Sequence, residues 1–133
     1  MPDDVSFSWR GVVGNEELNA LHAEGFDHPV LDDDWDTQLT THSLGWVTAR
    51  AGSHLVGFVN VAWDGGVHAF LLDTLTRHDR RHRGIATRLV QIAVDEVRAA
   101  GCEWLHVDWD EALDRLYVNA CGFEPAPAGL IQL

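Results

Sequence analysis

With 133 residues, 46% of them hydrophobic and six of them tryptophan, the chain is long enough for one folded core and too apolar for disorder. A formal net charge of -12 at pH 7 argues against a nucleic-acid binder, because an acidic surface repels phosphate backbones. No apolar run reaches the roughly 20 residues of a membrane span. The sequence opens without a basic-then-apolar leader, and two cysteines, Cys102 and Cys121, make no disulfide framework. The expectation is one domain over residues 1–133, an enzyme or binding module of the cytoplasm, as a monomer or homodimer.

Residues 5–13 read as a first strand ending at glycines. "NEELNALHAEG" reads as a helix capped by Asn15 and stopped by Gly25, and "LDDDWDTQLTTHS" as a short second helix whose first-turn acids suit the helix dipole. Residues 45–76 read as three strands. Their turns, "AGS" and "DGG", supply the glycines that hairpins need, and the middle strand, "HLVGFVNVAW", is apolar on both faces, as a central strand should be.

The next stretch, "RRHRGIATRL", gathers positive charge in an acidic chain. Arg77, Arg80, Arg81, Arg83 and Arg88 lie within twelve residues, and the chain has no lysine. The acids do the reverse: Asp3, Asp4, Glu16, Glu17, Glu24, Asp27, Asp32, Asp33, Asp34 and Asp36 all precede residue 37. Either two surfaces serve different partners, or the charge only keeps the protein soluble. Ala86, Val90, Ala93, Val97 and Ala100, widened by Ile85, Leu89 and Ile92, then make the apolar stripe of a helix that Gly101 ends. "EWLHVDW" reads as a strand of about six residues, "DEALDRLYVNACG" as a last helix, and "AGLIQL" as an edge strand. The strand–helix–strand unit around the arginines calls for two parallel strands.

The arginines therefore sit where a strand passes into a helix N-terminus. Free backbone N–H groups, a glycine that permits close approach and nearby guanidinium groups together describe a cradle for phosphate or pyrophosphate. The alternative is a loop whose arginines are bonded to the protein's own acids.

"RHRGIA", Arg81 to Ala86, resembles the Arg/Gln-x-x-Gly-x-Gly/Ala acyl-coenzyme A motif of the GNAT superfamily of N-acetyltransferases. "HAFLLDTLTRHDRRHRGIATRLV" is similar to that family's fourth strand and third helix, and "EALDRLYVNACGF" to its tyrosine-bearing helix, so the resemblance spans nearly the whole chain. It implies an α+β fold with a mixed, mostly antiparallel sheet flanked by helices. It also implies acetyl-coenzyme A as co-substrate, no metal, and a small-molecule or peptide amine as acceptor. In that picture the pyrophosphate lies on Arg81, His82, Arg83, Gly84, Ala86 and Thr87, with Ile85 turned into the core and Arg88 following. Thr74, Leu75 and Thr76 offer backbone groups to the pantetheine arm.

The same resemblance gives Tyr117 the task of protonating the departing thiolate. One residue more than is usual in the family separates it from Gly122, so either the helix bulges or Val118 takes its place. The base is open. Asp73 is the only acid on the fourth strand, where alternation puts it on the face of Leu71 and Leu75; His106, Asp108 and water relays are rivals. The segment "HAEGFDHPVLDDDWD" is an acidic rim suited to a cationic amine, with Trp35 as a cation–π partner, or else a solvated helix start. A coenzyme A-binding module with little catalysis is the alternative reading. Histidine and cysteine spacings give no zinc signature.

Overall fold

The computed structural model describes residues 4–133, so Asp3 of the acidic group lies outside it. The elements run β1 (Val5–Trp9), α1 (Asn15–Phe26), α2 (Trp35–His42), β2 (Ser43–Ala51), β3 (His54–Trp63), β4 (His68–Thr76), α3 (Ile85–Ala99) and β5 (Trp104–His106). A π-helical turn, Arg115–Ala120, follows. The sheet is ordered β1-β2-β3-β4-β5. Three neighbouring pairs are antiparallel, and β4 and β5, which flank α3 in the chain, are parallel.

The apolar residues of the sheet serve two cores. On one face Val47, Ala49, Val59, Val61 and Leu71 meet the α3 stripe, Ile85, Leu89, Val90, Ala93 and Val97, together with Tyr117. On the other, Trp46, Leu55, Phe58 and Leu75 meet Leu18 and Leu21 of α1 and Trp35 and Leu39 of α2. Each such Val, Leu, Ile or Phe side chain taken from water contributes roughly 1.5–3 kcal/mol, which holds α3 and the α1–α2 pair against the sheet. The central strand, β3, is buried over most of its length, as its two apolar faces require.

Several local expectations change. Gly14, not Asn15, caps α1; its N–H donates to Glu17 Oε2 at 2.9 Å, while the Asn15 side chain reaches across to Asp36 N and Asp34 Oδ1. Gly25 does not stop α1, which runs on to Phe26. A side chain there would meet Leu75 Cδ2 at 2.6 Å, so the glycine lets α1 lie close on β4. β1 ends at Trp9, and β5 is three residues long rather than six. The edge strand expected from "AGLIQL" does not form: Leu130 and Ile131 are 83% and 82% exposed. Pro125 and Pro127 lack the N–H groups that a ladder needs, and β5 offers only a short edge.

β4 carries a bulge. Phe58 pairs with Leu75 and Asn60 with Leu72, so Val59 alone opposes both Asp73 and Thr74, and Asp73 takes a left-handed backbone with φ 55°. The extra residue reverses the pleat. Leu71 consequently faces α3 while Leu75 faces α1 and α2, which corrects the expectation that Leu71, Asp73 and Leu75 share one face. Simple alternation assumes one residue opposite each partner residue.

Candidate active site

The ladder between β4 and β5 closes with Phe70 opposite His106, whereas β4 continues to Thr76. Past His106 the chain leaves the sheet, and Trp109 lies on the Tyr117 ring at 5.2 Å, with its Nε1 donating to Asp114 Oδ1. The second half of β4 thus has no strand on that side. Past Thr76 the chain runs from this unpaired half of β4 into the arginine loop.

That loop turns sharply. His82 and Gly84 both have positive φ, 63° and 80°, and the left-handed backbone of the second, from which α3 starts, favours glycine. No side chain caps α3, and its first intrahelical bond is Arg88 N to Gly84 O. The N–H groups of the opening turn, at Ile85, Ala86 and Thr87, therefore have no helical carbonyl of their own. Ile85 is buried in the α3 core; Arg81, His82, Arg83, Gly84 and Arg88 are exposed.

The state of the arginines is the informative feature. Arg50 is spent on structure, bonding Glu17 through two nitrogens at 3.0 and 2.6 Å, a contact that also holds the Glu17 carboxyl below its usual range. Arg77 pairs with Asp79 at 2.9 Å. Among the described residues, the guanidinium groups of Arg80, Arg81, Arg83 and Arg88 make no hydrogen bond or ion pair to any protein group. Four guanidinium groups around an uncapped helix start are positive charge without an internal partner.

Beside the unpaired half of β4, the extra residue before Gly122 is taken up by the π-helical turn. Tyr117 therefore points inward, 4% exposed, and its hydroxyl donates to Thr74 Oγ1 at 3.1 Å. Burial pushes its phenol above the ordinary tyrosine range; the Thr74 bond opposes this, and Cys121 and Asp108 add to it. Val118 is only half-buried.

On the other side of the same bulge, Asp73 Oδ1 meets His22 Nε2 of α1 at 3.2 Å. Burial raises the Asp73 carboxyl, and the charge and hydrogen bond of His22 pull it back down. The bulge thus sends two consecutive side chains to opposite neighbours, Asp73 to α1 and Thr74 to Tyr117. His22 Nδ1 is in turn 2.7 Å from His28 Nε2. Neither histidine stands out in the sequence by motif. The available signal is helical spacing: His22 shares a face with Leu18 and Gly25, the face laid against β4.

The rivals for the base sit apart from this cluster. His106 stacks on Phe70 at 4.8 Å and bonds His68 at 2.8 Å, and Asp108 lies beyond the end of β5. Trp35 cannot serve as a cation–π partner for a ligand: it is 4% exposed, with its Nε1 donating to Asn19 Oδ1, because α2 needs it as a core anchor. Asn19, itself buried, also bonds both backbone groups of Asp33, which fixes the α1–α2 connection. Of the acids there, Asp34 is occupied capping α2 through Thr37, and Glu24 accepts from His78 N at 2.6 Å. Asp27, Asp32, Asp33 and Asp36 have exposed side chains. Among the described residues no cluster of His, Cys, Asp or Glu could hold a metal, and no helix is long and apolar enough to cross a membrane.

A glycine-led, uncapped helix start with four unpartnered guanidinium groups, following the unpaired half of β4, is a concentration of positive charge suited to an anion. The sequence matches the acetyltransferase (GNAT) family over residues 14–123, and the chain belongs to that family. Its fold is similar to that of a GNAT-family acetyltransferase from Streptococcus pneumoniae TIGR4 (TM-score 0.77, 19% identity, 97% of each chain). It also resembles a ribosomal-protein-alanine N-acetyltransferase from Brucella melitensis biovar Abortus 2308 (TM-score 0.72, 20% identity, 97% of this chain and 99% of that one). A third similar structure is AAC(6')-Iy in complex with the bisubstrate analogue CoA-S-monomethyl-acetylneamine (TM-score 0.73, 19% identity, 97% of each chain). No curated protein matches the sequence. The α+β fold with its mixed sheet and flanking helices is the one the sequence called for.

Proposed function

We propose that the chain, as one catalytic domain, transfers an acetyl group from acetyl-coenzyme A to a primary amine. The observation that carries this reading is the set of unpaired arginines at the α3 start, which fits a pyrophosphate and has no structural task of its own. Acetyl-coenzyme A supplies an activated thioester; the residues supply binding and proton handling. Arg81, His82, Arg83, Gly84, Ala86, Thr87 and Arg88 hold the pyrophosphate, and the backbone of Thr74, Leu75 and Thr76, on the half of β4 that β5 does not pair, holds the pantetheine arm. Ile85 anchors the loop from below.

An ammonium has no lone pair, so the acceptor must first lose a proton. Asp73 accepts it: among the described residues its Oδ2 has no hydrogen-bond partner, and burial raises its affinity for a proton. Tyr117 gives its proton to the departing sulfur. Its raised pKa keeps the phenol protonated through neutral pH, so loss of activity on the alkaline side should set in only above the ordinary tyrosine range. Tyr117→Phe is expected to lower kcat by about 10²-fold while leaving KM for acetyl-coenzyme A within about twofold. Steady-state kinetics on both substrates checks this, and an unchanged kcat would leave Tyr117 with packing alone.

The acceptor is a cationic amine, small or at a peptide terminus. Asp27, Asp32 and Asp33 are exposed on the connection that also carries His28, Asp36 is exposed in the first turn of α2, and through His22 that connection reaches Asp73. Their field draws cations and is screened over about 8–10 Å. Release of free thiol with a panel of amines tests both parts. Polyamine-like and aminoglycoside-like acceptors should beat glutamate, with kcat/KM falling as salt rises. Preference for glutamate would remove the acidic rim, and coenzyme A binding without thiol release would leave a binding module. The two free cysteines, Cys102 and Cys121, fit a reducing cytoplasm.

A further inference from the structure

Three hydrogen bonds in series join Pro29, His28, His22 and Asp73. His28 Nδ1 lies 2.6 Å from the Pro29 carbonyl, His28 Nε2 lies 2.7 Å from His22 Nδ1, and His22 Nε2 lies 3.2 Å from Asp73 Oδ1. A carbonyl only accepts, so His28 Nδ1 carries a hydrogen. With His28 neutral, its Nε2 accepts and His22 Nδ1 must donate. The last bond, between His22 Nε2 and Asp73 Oδ1, then needs a proton of its own. Three bonds require three protons, and two neutral imidazoles bring two.

We propose that His22 and His28 are positioning residues for Asp73: the imidazole pair holds that third proton, and so keeps the half-buried Asp73 carboxylate ionised with Oδ2 free for the acceptor amine. The inference rests on the acetyl-transfer reading for its catalytic meaning. The surroundings suit a charged imidazole. His22 is packed among the rings of Phe26, His28 and Trp35, with centroids 4.7, 4.9 and 5.4 Å away, and aromatic rings stabilise a cation beside them. Other charges nearby are otherwise engaged or turned to solvent. Glu24 of α1 bonds His78 N and Asp34 bonds Thr37 and Asn15, while Asp27 and Asp33 are exposed. Among the described residues, His22 is the side chain that bonds the Asp73 carboxyl.

In the proton step, one N–H bond of the ammonium breaks and its electron pair stays on nitrogen. The proton forms an O–H bond at Asp73 Oδ2, and the imidazole pair keeps the third proton throughout. The pair thereby lowers the pH at which Asp73 becomes a base, against the larger effect of burial. His22 lowers the Asp73 pKa, so removing it raises that pKa, and less carboxylate exists at a given pH.

His22→Gln should therefore move the acidic limb of kcat/KM to higher pH by about one unit. KM for acetyl-coenzyme A and the melting temperature at neutral pH serve as controls on binding and folding. His28→Gln should shift the limb in the same direction by less. Long-range ¹⁵N NMR of the imidazole rings gives a readout independent of turnover: His28 should carry hydrogen on Nδ1, and the two rings should share a single extra proton lost in one step. An unmoved limb in His22→Gln would overturn the proposal, as would two rings that titrate independently. If no amine is acetylated by the wild-type protein, the acetyl-transfer reading fails, and the NMR titration still decides whether the relay exists.

Discussion

Asp73→Asn is expected to lower kcat by about 10²–10⁴-fold, the range for loss of a positioned general base, without weakening acetyl-coenzyme A binding. Asparagine is the substitution of choice because it tolerates the left-handed backbone at this position, where φ is 55°. Stability should move the other way. A carboxyl whose folded pKa is raised favours the fold only while protonated. Its contribution is complete below the unfolded aspartate pKa and is lost as pH rises through the folded value. Wild type thus loses stability across that window while the asparagine variant does not. The variant's melting temperature at pH 7 should equal or exceed that of wild type. An inactive variant that melts lower would mean that Asp73 is there for its contact with His22; an active one would pass the base to another group.

The second large effect belongs to the cradle. Arg81→Ala/Arg83→Ala removes two unpaired charges at the α3 start. Each charge-assisted contact contributes roughly 1.5–3 kcal/mol, so each loss should raise KM for acetyl-coenzyme A by about 10- to 100-fold. Folding should be unaffected, since neither side chain bonds any protein group among the described residues. Acetyl-pantetheine, which lacks the pyrophosphate, is the control: its kinetics should be the same with wild type and variant. Equal losses on both substrates would make the arginines structural after all.

Much of the fold was legible because it rests on local chemistry. The α3 stripe, the glycine turns around Gly52 and Gly65 and the doubly apolar β3 each follow from residues within one element. The arginine loop was legible for the same reason, since glycine, charge and helix start are adjacent in the chain. What was missed depends on partners far away in sequence. The bulge at Asp73 exists because β3 offers one residue, Val59, against two. No pattern within β4 announces it, and so the faces of Leu71 and Leu75 were misassigned. His22, His28 and Asp73 come from a helix, the loop after it and a strand. Trp35 looked available because it sits among acids, but α2 turns it inward. The spacing around Tyr117 was different again: the anomaly was visible, and only the π-helical turn shows how the backbone absorbs it.

Titration of the wild-type protein with coenzyme A, followed by melting temperature, tests the central claim most directly. A ligand at 100 times its dissociation constant stabilises the fold by about 2.7 kcal/mol. The melting temperature should therefore rise with ligand concentration, and the rise should be largely lost in Arg81→Ala/Arg83→Ala. No rise at millimolar coenzyme A would contradict the reading of the α3 start as a pyrophosphate cradle, and with it the acetyltransferase function proposed for this chain.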